Sequence, residues 1–229
     1  MIDGLLSIVA PHHCSGCGKT GSLLCDNCKY NIIYETKTVC FVCQRPCGAS
    51  GICNTCSVPY SHAWYVGERK DALQRLVGLY KFERTKSAYL VLADLLASTL
   101  PDFPGDIVVV PVPTATAHIR QRGYDHTLLF AKRFAELRGL ELSRALTRIT
   151  STTQRHVGAS ERQAQAERAF VANKSLNSDK TYLLIDDIAT TGATLRYATK
   201  ALKDAGAGDV WVVAIARQVF DSHQGRDGI

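Results

Sequence analysis

Two groups of residues in this 229-residue chain are spaced for chemistry. The first is the run Leu183-Leu184-Ile185-Asp186-Asp187-Ile188-Ala189-Thr190-Thr191-Gly192-Ala193-Thr194. It reads as an apolar strand that ends in two acids, then a turn that leads into a helix, and open α/β sheets bind ligands at such carboxyl ends. Successive N–H groups in a tight turn, with the positive end of the following helix, make an anion site, and Gly192 permits close approach. Thr190, Thr191 and Thr194 add hydroxyl donors. A phosphate monoester suits that cradle, whereas Asp186 and Asp187 would repel it and so must face sugar hydroxyls or a metal ion. One ligand that carries both a phosphate and a sugar meets every requirement. A capped helix start is the bland alternative for an isolated Asp-Asp-x-x-Thr string; the strand, turn and helix around it favour the ligand site.

The second group is the cysteines. All nine lie between Cys14 and Cys56, and eight form CxxC pairs: Cys14 and Cys17, Cys25 and Cys28, Cys40 and Cys43, Cys53 and Cys56. Four thiolates suit a closed structural zinc site, and a short CxxC turn presents two sulfurs to one ion. One or two zinc ions are expected, and Gly16-Cys17-Gly18 resembles a zinc-ribbon knuckle. The four pairs could combine sequentially or crossed, with Cys47 as a ninth thiol. Redox chemistry competes for any single CxxC, but several pairs without a thioredoxin-like pattern argue against it. Lys29, Lys37 and Arg45 with Tyr30, Tyr34 and Phe41 would offer charge and stacking faces to single-stranded DNA, a sparse footprint. His12 and His13 adjoin the first cysteine, and a full thiol complement leaves them to solvent.

These groups need elements to hold them. Composition changes near residue 60, which divides the chain into a small Cys-rich module, 1–60, and a larger domain, 61–229. In the larger part, Leu73, Leu76, Val77 and Tyr80, then Leu90, Leu92, Leu95 and Leu96, fit two helices, the second ended by Pro101 and Pro104. Ile107–Val110 reads as a strand buried on both faces. Leu128, Ala131, Phe134, Ala135 and Leu137 mark a helix face closed by Gly139. Residues 146–170 carry no apolar stripe and read as a long loop. Tyr182–Ile185 and Val210–Ile215 are further strands, separated by a helix over Ala193–Ala205 that stops at Gly206. The fold class is α/β, an open and mostly parallel sheet. A hydrophobic share of 46% suffices for a core, and a net charge of +6 allows an anionic partner without demanding one. Met1–Ala10 is too short to span a bilayer and lacks a signal-peptide pattern, so a cytoplasmic protein is expected.

The segment Leu183–Thr194 resembles the 5-phosphoribosyl-1-pyrophosphate signature of type I phosphoribosyltransferases. The resemblance extends along almost the whole chain to the ComF family, named for competence proteins of DNA uptake, which places a zinc module before the transferase domain. Further matches are Tyr80-Lys81-Phe82, Pro111-Val112-Pro113, Arg120-Gln121-Arg122-Gly123-Tyr124, and the loop residues Gln154, Glu161-Arg162 and Ala169-Phe170. By that resemblance Asp186 and Asp187 bind the ribose hydroxyls, and Ala189, Thr190, Thr191, Gly192, Ala193 and Thr194 bind the 5-phosphate. Lys81, Arg120 and Arg122 are implied for a magnesium-bound pyrophosphate, and the loop with Gln154 and Arg162 would close over the reactants.

The chain departs from that pattern at Asp125-His126, where the family carries Asn-Gln, and at Gln163, Ala164 and Gln165 in the loop. A carboxylate at position 125 beside a pyrophosphate would be unfavourable unless magnesium intervened. His126 and His156 are conceivable acid–base groups that no spacing selects. The expected function is a magnesium-dependent phosphoribosyltransferase-like protein that serves DNA uptake. The alternatives are a non-catalytic sensor of phosphoribosyl pyrophosphate and a single-stranded-DNA-binding competence adaptor.

Overall fold

A computed structural model describes residues 12–34, 38–83, 85–149 and 169–218. Seven strands and six helices follow in the described residues: α1 Asp26–Tyr34, β1 His62–Glu68, α2 Asp71–Phe82, α3 Ala88–Thr99, β2 Ile107–Pro111, α4 Thr116–Arg122, α5 His126–Arg138, β3 Glu141–Leu142, β4 Leu146–Arg148, β5 Phe170–Ala172, β6 Thr181–Ala189, α6 Ala193–Asp204 and β7 Asp209–Arg217. Five strands form one parallel sheet in the order β1-β7-β6-β2-β3, and β4 pairs antiparallel with β5 in a separate ribbon.

The β-branched run of β2 is buried at all five positions because helices cover both faces of the sheet. On one face Leu73, Leu76, Leu92, Leu95, Phe130 and Phe134 of α2, α3 and α5 pack on Val109, Leu183, Ile185 and Val213. On the other, Leu195, Ala198 and Leu202 of α6 pack on Val110, Leu184 and Val212. Each fully buried aliphatic side chain contributes roughly 1.5–3 kcal/mol. The Cys-rich segment adds to both cores: Cys14, Leu23 and Leu24 join the first, and Phe41 joins the second.

Several details differ from the sequence reading. β6 does not end at the acids; it pairs with β7 beyond them, through Ile188↔Ala216 and Ala189↔Arg217. Edge strand β1 carries too few aliphatics to reveal itself by pattern, yet it pairs with β7 from His62 to Glu68. The stretch read as a loop starts and ends in strand, since Leu146↔Ala172 and Arg148↔Phe170 pair across it. Leu90 and Leu137 are exposed, because Phe130 and Thr127 turn the buried face of α5 and Ala88, Ala93 and Leu92 that of α3. No helix among the described residues is long and apolar enough to cross a membrane.

Candidate functional site

A cleft of about 320 Å³ opens at the carboxyl ends of the strands. Its charged side chains arrive from several elements. Lys81 comes from the last turn of α2, Arg122 from the end of α4, and Arg148 from the end of β4. Arg69 follows β1, whereas Asp186 and Asp187 stand on β6. Two acids therefore meet four cations in one concave site.

Successive strand residues point to opposite faces, which gives the two acids different partners. Lys81 Nζ lies 2.6 Å from Asp187 Oδ2, and His126 Nε2 hydrogen-bonds the same oxygen. Burial alone would raise the Asp187 pKa, but the His126 hydrogen bond and the Lys81 charge prevail and hold it well below the usual carboxylate range. Asp186 lacks such a partner. Burial, reinforced by the charge of Asp187, pushes it up to about 7, although it accepts the Asp187 N–H at 2.8 Å. The two neighbouring carboxyls are thus shifted in opposite directions, Asp187 towards the ionised form and Asp186 towards the protonated one.

The turn after β6 leads into α6 through Gly192 at φ 70°, a left-handed conformation that favours glycine. No side chain caps α6, so its first N–H groups stay open to an anion. Thr190 and Thr194 line the cleft beside it. Arg69 hydrogen-bonds Gln218 Oε1 at 2.9 Å through Nη1, and its buried Nε has no partner among the described residues.

The thiols form two sets in chain order, Cys14, Cys17, Cys25, Cys28 and Cys40, Cys43, Cys53, Cys56, with the sulfurs of each set within 4.8 Å of one another. Sulfurs at about 2.3 Å around a tetrahedral zinc stand about 3.8 Å apart. Separations of 3.6 Å for Cys14–Cys25, 3.7 Å for Cys17–Cys25 and 3.7 Å for Cys43–Cys53 match that spacing and exceed a disulfide bond. Backbone N–H groups of Gly16, Cys25 and Val42 point at Cys14 and Cys40 sulfurs. In the first set burial opposes ionisation of Cys14, yet backbone hydrogen bonds from Cys17, Cys25 and Gly16 bring it down to about 6. Burial and the neighbouring thiols push Cys28 up to about 12. Only a bound cation would hold all four as thiolates. The residues fit two zinc-ribbon sites, each built from two CxxC knuckles. Cys47 lies outside both sets, with its thiol directed to the Arg45 carbonyl at 3.5 Å.

Comparison with known proteins follows this geometry. A family model described as "Phosphoribosyl transferase domain" matches residues 127–226. Competence protein F of Haemophilus influenzae is 25% identical over 84% of this chain and 96% of its own length. Competence protein ComFC of Streptococcus pneumoniae is 29% identical over 89% of this chain and 87% of its own. The chain is thus similar to competence proteins over most of its length and to a phosphoribosyl transferase domain over residues 127–226. Among solved structures, the allosteric regulatory enzyme of purine biosynthesis aligns at 23% identity and a TM-score of 0.41. That alignment spans 56% of this chain and 25% of the enzyme.

The fold gathers some of the residues the sequence nominates and leaves others out. Lys81, Arg122, Asp186, Asp187, Thr190 and Thr194 share the cleft. Ala189 is buried at the end of β6, while Thr191, Gly192 and Ala193 form the turn and the first residue of α6. Arg120 is exposed and does not line the cleft, because it sits on the opposite side of α4 from Arg122 and His118. Gln154, His156, Glu161, Arg162, Gln163, Ala164 and Gln165 lie outside the described residues.

Asp125 does not line the cleft; it caps α5 by accepting the Leu128 N–H at 3.1 Å and takes the Thr114 hydroxyl at 2.8 Å. Phe41 cannot stack on DNA because it is 2% exposed, and Lys29 is paired with Asp94 at 2.5 Å. Sequence reasoning missed Arg69, His118 and Arg148. Arg69 was visible only as a basic residue just past the unrecognised strand β1.

Proposed function

We propose that this protein binds 5-phosphoribosyl-1-pyrophosphate with magnesium and transfers the phosphoribosyl group to an acceptor. The observation that carries this reading is the meeting of Asp186 and Asp187 with an uncapped turn at α6 and with Arg69, Lys81, Arg122 and Arg148 in one cleft. The turn from Ala189 to Thr194 would take the 5-phosphate through backbone N–H groups and the Thr190 and Thr194 hydroxyls. Asp186 and Asp187 would hold the ribose hydroxyls. The cations face the pyrophosphate, whose departure leaves positive charge on the anomeric carbon; neutralising the leaving anion lowers that barrier. Magnesium, when bound, would add charge neutralisation at the pyrophosphate, and the ionisable Asp186 is the group suited to face it.

On this reading residues 1–60 form a structural module with one zinc in each cysteine set, and 61–229 form the transferase-like domain of a cytoplasmic protein. The relatives named as competence proteins support a role in DNA uptake, with single-stranded DNA or competence proteins as partners. A sensor that binds without turnover is the second reading, favoured by the occupation of Asp187 by Lys81 and His126. Pyrophosphate release from phosphoribosyl pyrophosphate, assayed with nucleobases and single-stranded DNA as acceptors, separates the two. Release with any acceptor supports transfer; tight binding with no release across the panel supports the sensor.

A further inference from the structure

Lys81, Asp187, His126 and Arg122 form one connected set of polar contacts in the cleft, with Asp187 and His126 buried. Lys81 Nζ and His126 Nε2 meet on the same carboxylate oxygen, Asp187 Oδ2. Arg122 Nη1 lies 2.8 Å from His126 Nδ1 and 3.4 Å from Nε2, and Thr114 Oγ1 lies 3.2 Å from Nδ1. A guanidinium only donates, so Nδ1 accepts and Nε2 carries the proton given to Asp187. The two groups on Asp187 differ in mobility. Lys81 ends in an ammonium on a four-carbon stem. His126 is 5% exposed, opens α5, and is anchored by the Tyr80 hydroxyl, which donates to its carbonyl at 2.8 Å.

If the cleft takes phosphoribosyl pyrophosphate, the mobile cations acquire a better partner. Phosphate oxygens form strong charge-assisted bonds with an ammonium and a guanidinium, and Lys81 and Arg122 both line the cleft. Once Lys81 turns to the pyrophosphate, Asp187 is a buried carboxylate without its countercharge, a costly state unless another donor remains. We propose that His126 is a positioning residue that keeps Asp187 hydrogen-bonded and aimed at the ribose while Lys81 and Arg122 pass to the pyrophosphate. This hand-over rests on the phosphoribosyl reading of the cleft. It gives His126 a task that a glutamine amide, also an N–H donor, performs as well.

The test compares wild type, His126→Gln and His126→Leu by calorimetric titration with magnesium phosphoribosyl pyrophosphate and with ribose 5-phosphate. Thermal melts check that each variant folds. Loss of one hydrogen bond to a charged group predicts about 10- to 100-fold weaker phosphoribosyl pyrophosphate binding by His126→Leu, with His126→Gln within about threefold of wild type. Ribose 5-phosphate carries no pyrophosphate to draw Lys81 from Asp187, so all three proteins should bind it within about threefold. In proton NMR the His126 ring N–H, identified by its loss in His126→Gln, should persist when phosphoribosyl pyrophosphate saturates wild type. Equal weakening of both ligands in His126→Leu, no weakening of either, or disappearance of that ring proton on saturation would each overturn the hand-over alone. A wild type that binds neither ligand overturns the phosphoribosyl reading and the hand-over with it.

Discussion

Phe41, the residue after Cys40 in the second cysteine set, packs behind Gly192, where an added Cβ would stand 3.0 Å from the Phe41 Cβ. Phe41 is buried and its ring lies 5.9 Å from that of Tyr65 on β1. The second cysteine set is thereby joined through one side chain to the turn that would hold a phosphate. Gly192→Ala meets both a positive φ and this contact. It is expected to lose about 1–2 kcal/mol of stability and to weaken binding of ribose 5-phosphate at least about tenfold. Phe41→Ala should weaken the same ligand while its zinc content is unchanged. Calorimetry and metal analysis on both variants check the pair, and unaltered ribose 5-phosphate affinity would count against the coupling.

Stability should carry the signature of Asp186. In the folded chain it holds its proton up to about pH 7, whereas an unfolded aspartate ionises near about pH 4. Between those values the folded state binds more protons, so Asp186 destabilises the fold increasingly as pH rises through the window. Asp186→Asn keeps the carbonyl that accepts from Asp187 N–H. It should exceed wild type in stability at pH 8 by on the order of 1–4 kcal/mol and match it near about pH 4. Denaturant melts at the two pH values decide; an equal advantage at both would contradict the assignment. Asp187, whose folded value is lowered, behaves oppositely: its contribution is present above the ordinary aspartate value and is lost only in stronger acid.

Metal content should follow the two cysteine sets. Wild type is expected to carry about two zinc ions per chain. Cys17→Ser and Cys43→Ser should each reduce that to about one, and Cys47→Ser should leave it unchanged, since Cys47 lies outside both sets. Elemental analysis of the purified proteins reads this directly. A loss of zinc in Cys47→Ser would mean that the ninth thiol is a ligand.

Much of this was legible in the sequence, for identifiable reasons. The CxxC spacing and the strand–turn–helix run over Leu183–Thr194 depend on local geometry, which residue types report directly. The cations depend on tertiary placement. Arg120 and Arg122 are equal in sequence, and only the turn of α4 separates them: Arg122 lines the cleft and Arg120 is exposed. Likewise Asp125 looks like a misplaced charge until the start of α5 is known, when it becomes that helix's cap. His126 could not be assigned a role because its partner Asp187 is 61 residues away in the chain.

That contrast makes its own forecast. Arg69→Ala should weaken phosphoribosyl pyrophosphate binding about tenfold or more, as loss of a charge-assisted bond predicts, and Arg120→Ala should leave it within about twofold. Equilibrium titration of the two variants checks the forecast, and the reverse ranking would place the pyrophosphate elsewhere.

The central claim is that Asp186 and Asp187, beside the turn at Gly192, hold a phosphoribosyl group. Calorimetric titration of wild type and of the double variant Asp186→Ala with Asp187→Ala tests it most directly, using phosphoribosyl pyrophosphate with and without magnesium. The account predicts saturable, magnesium-dependent binding by wild type and at least about 100-fold weaker binding by the double variant, provided melts show it folded. Absence of binding by wild type, or equal affinity in the two proteins, would contradict it.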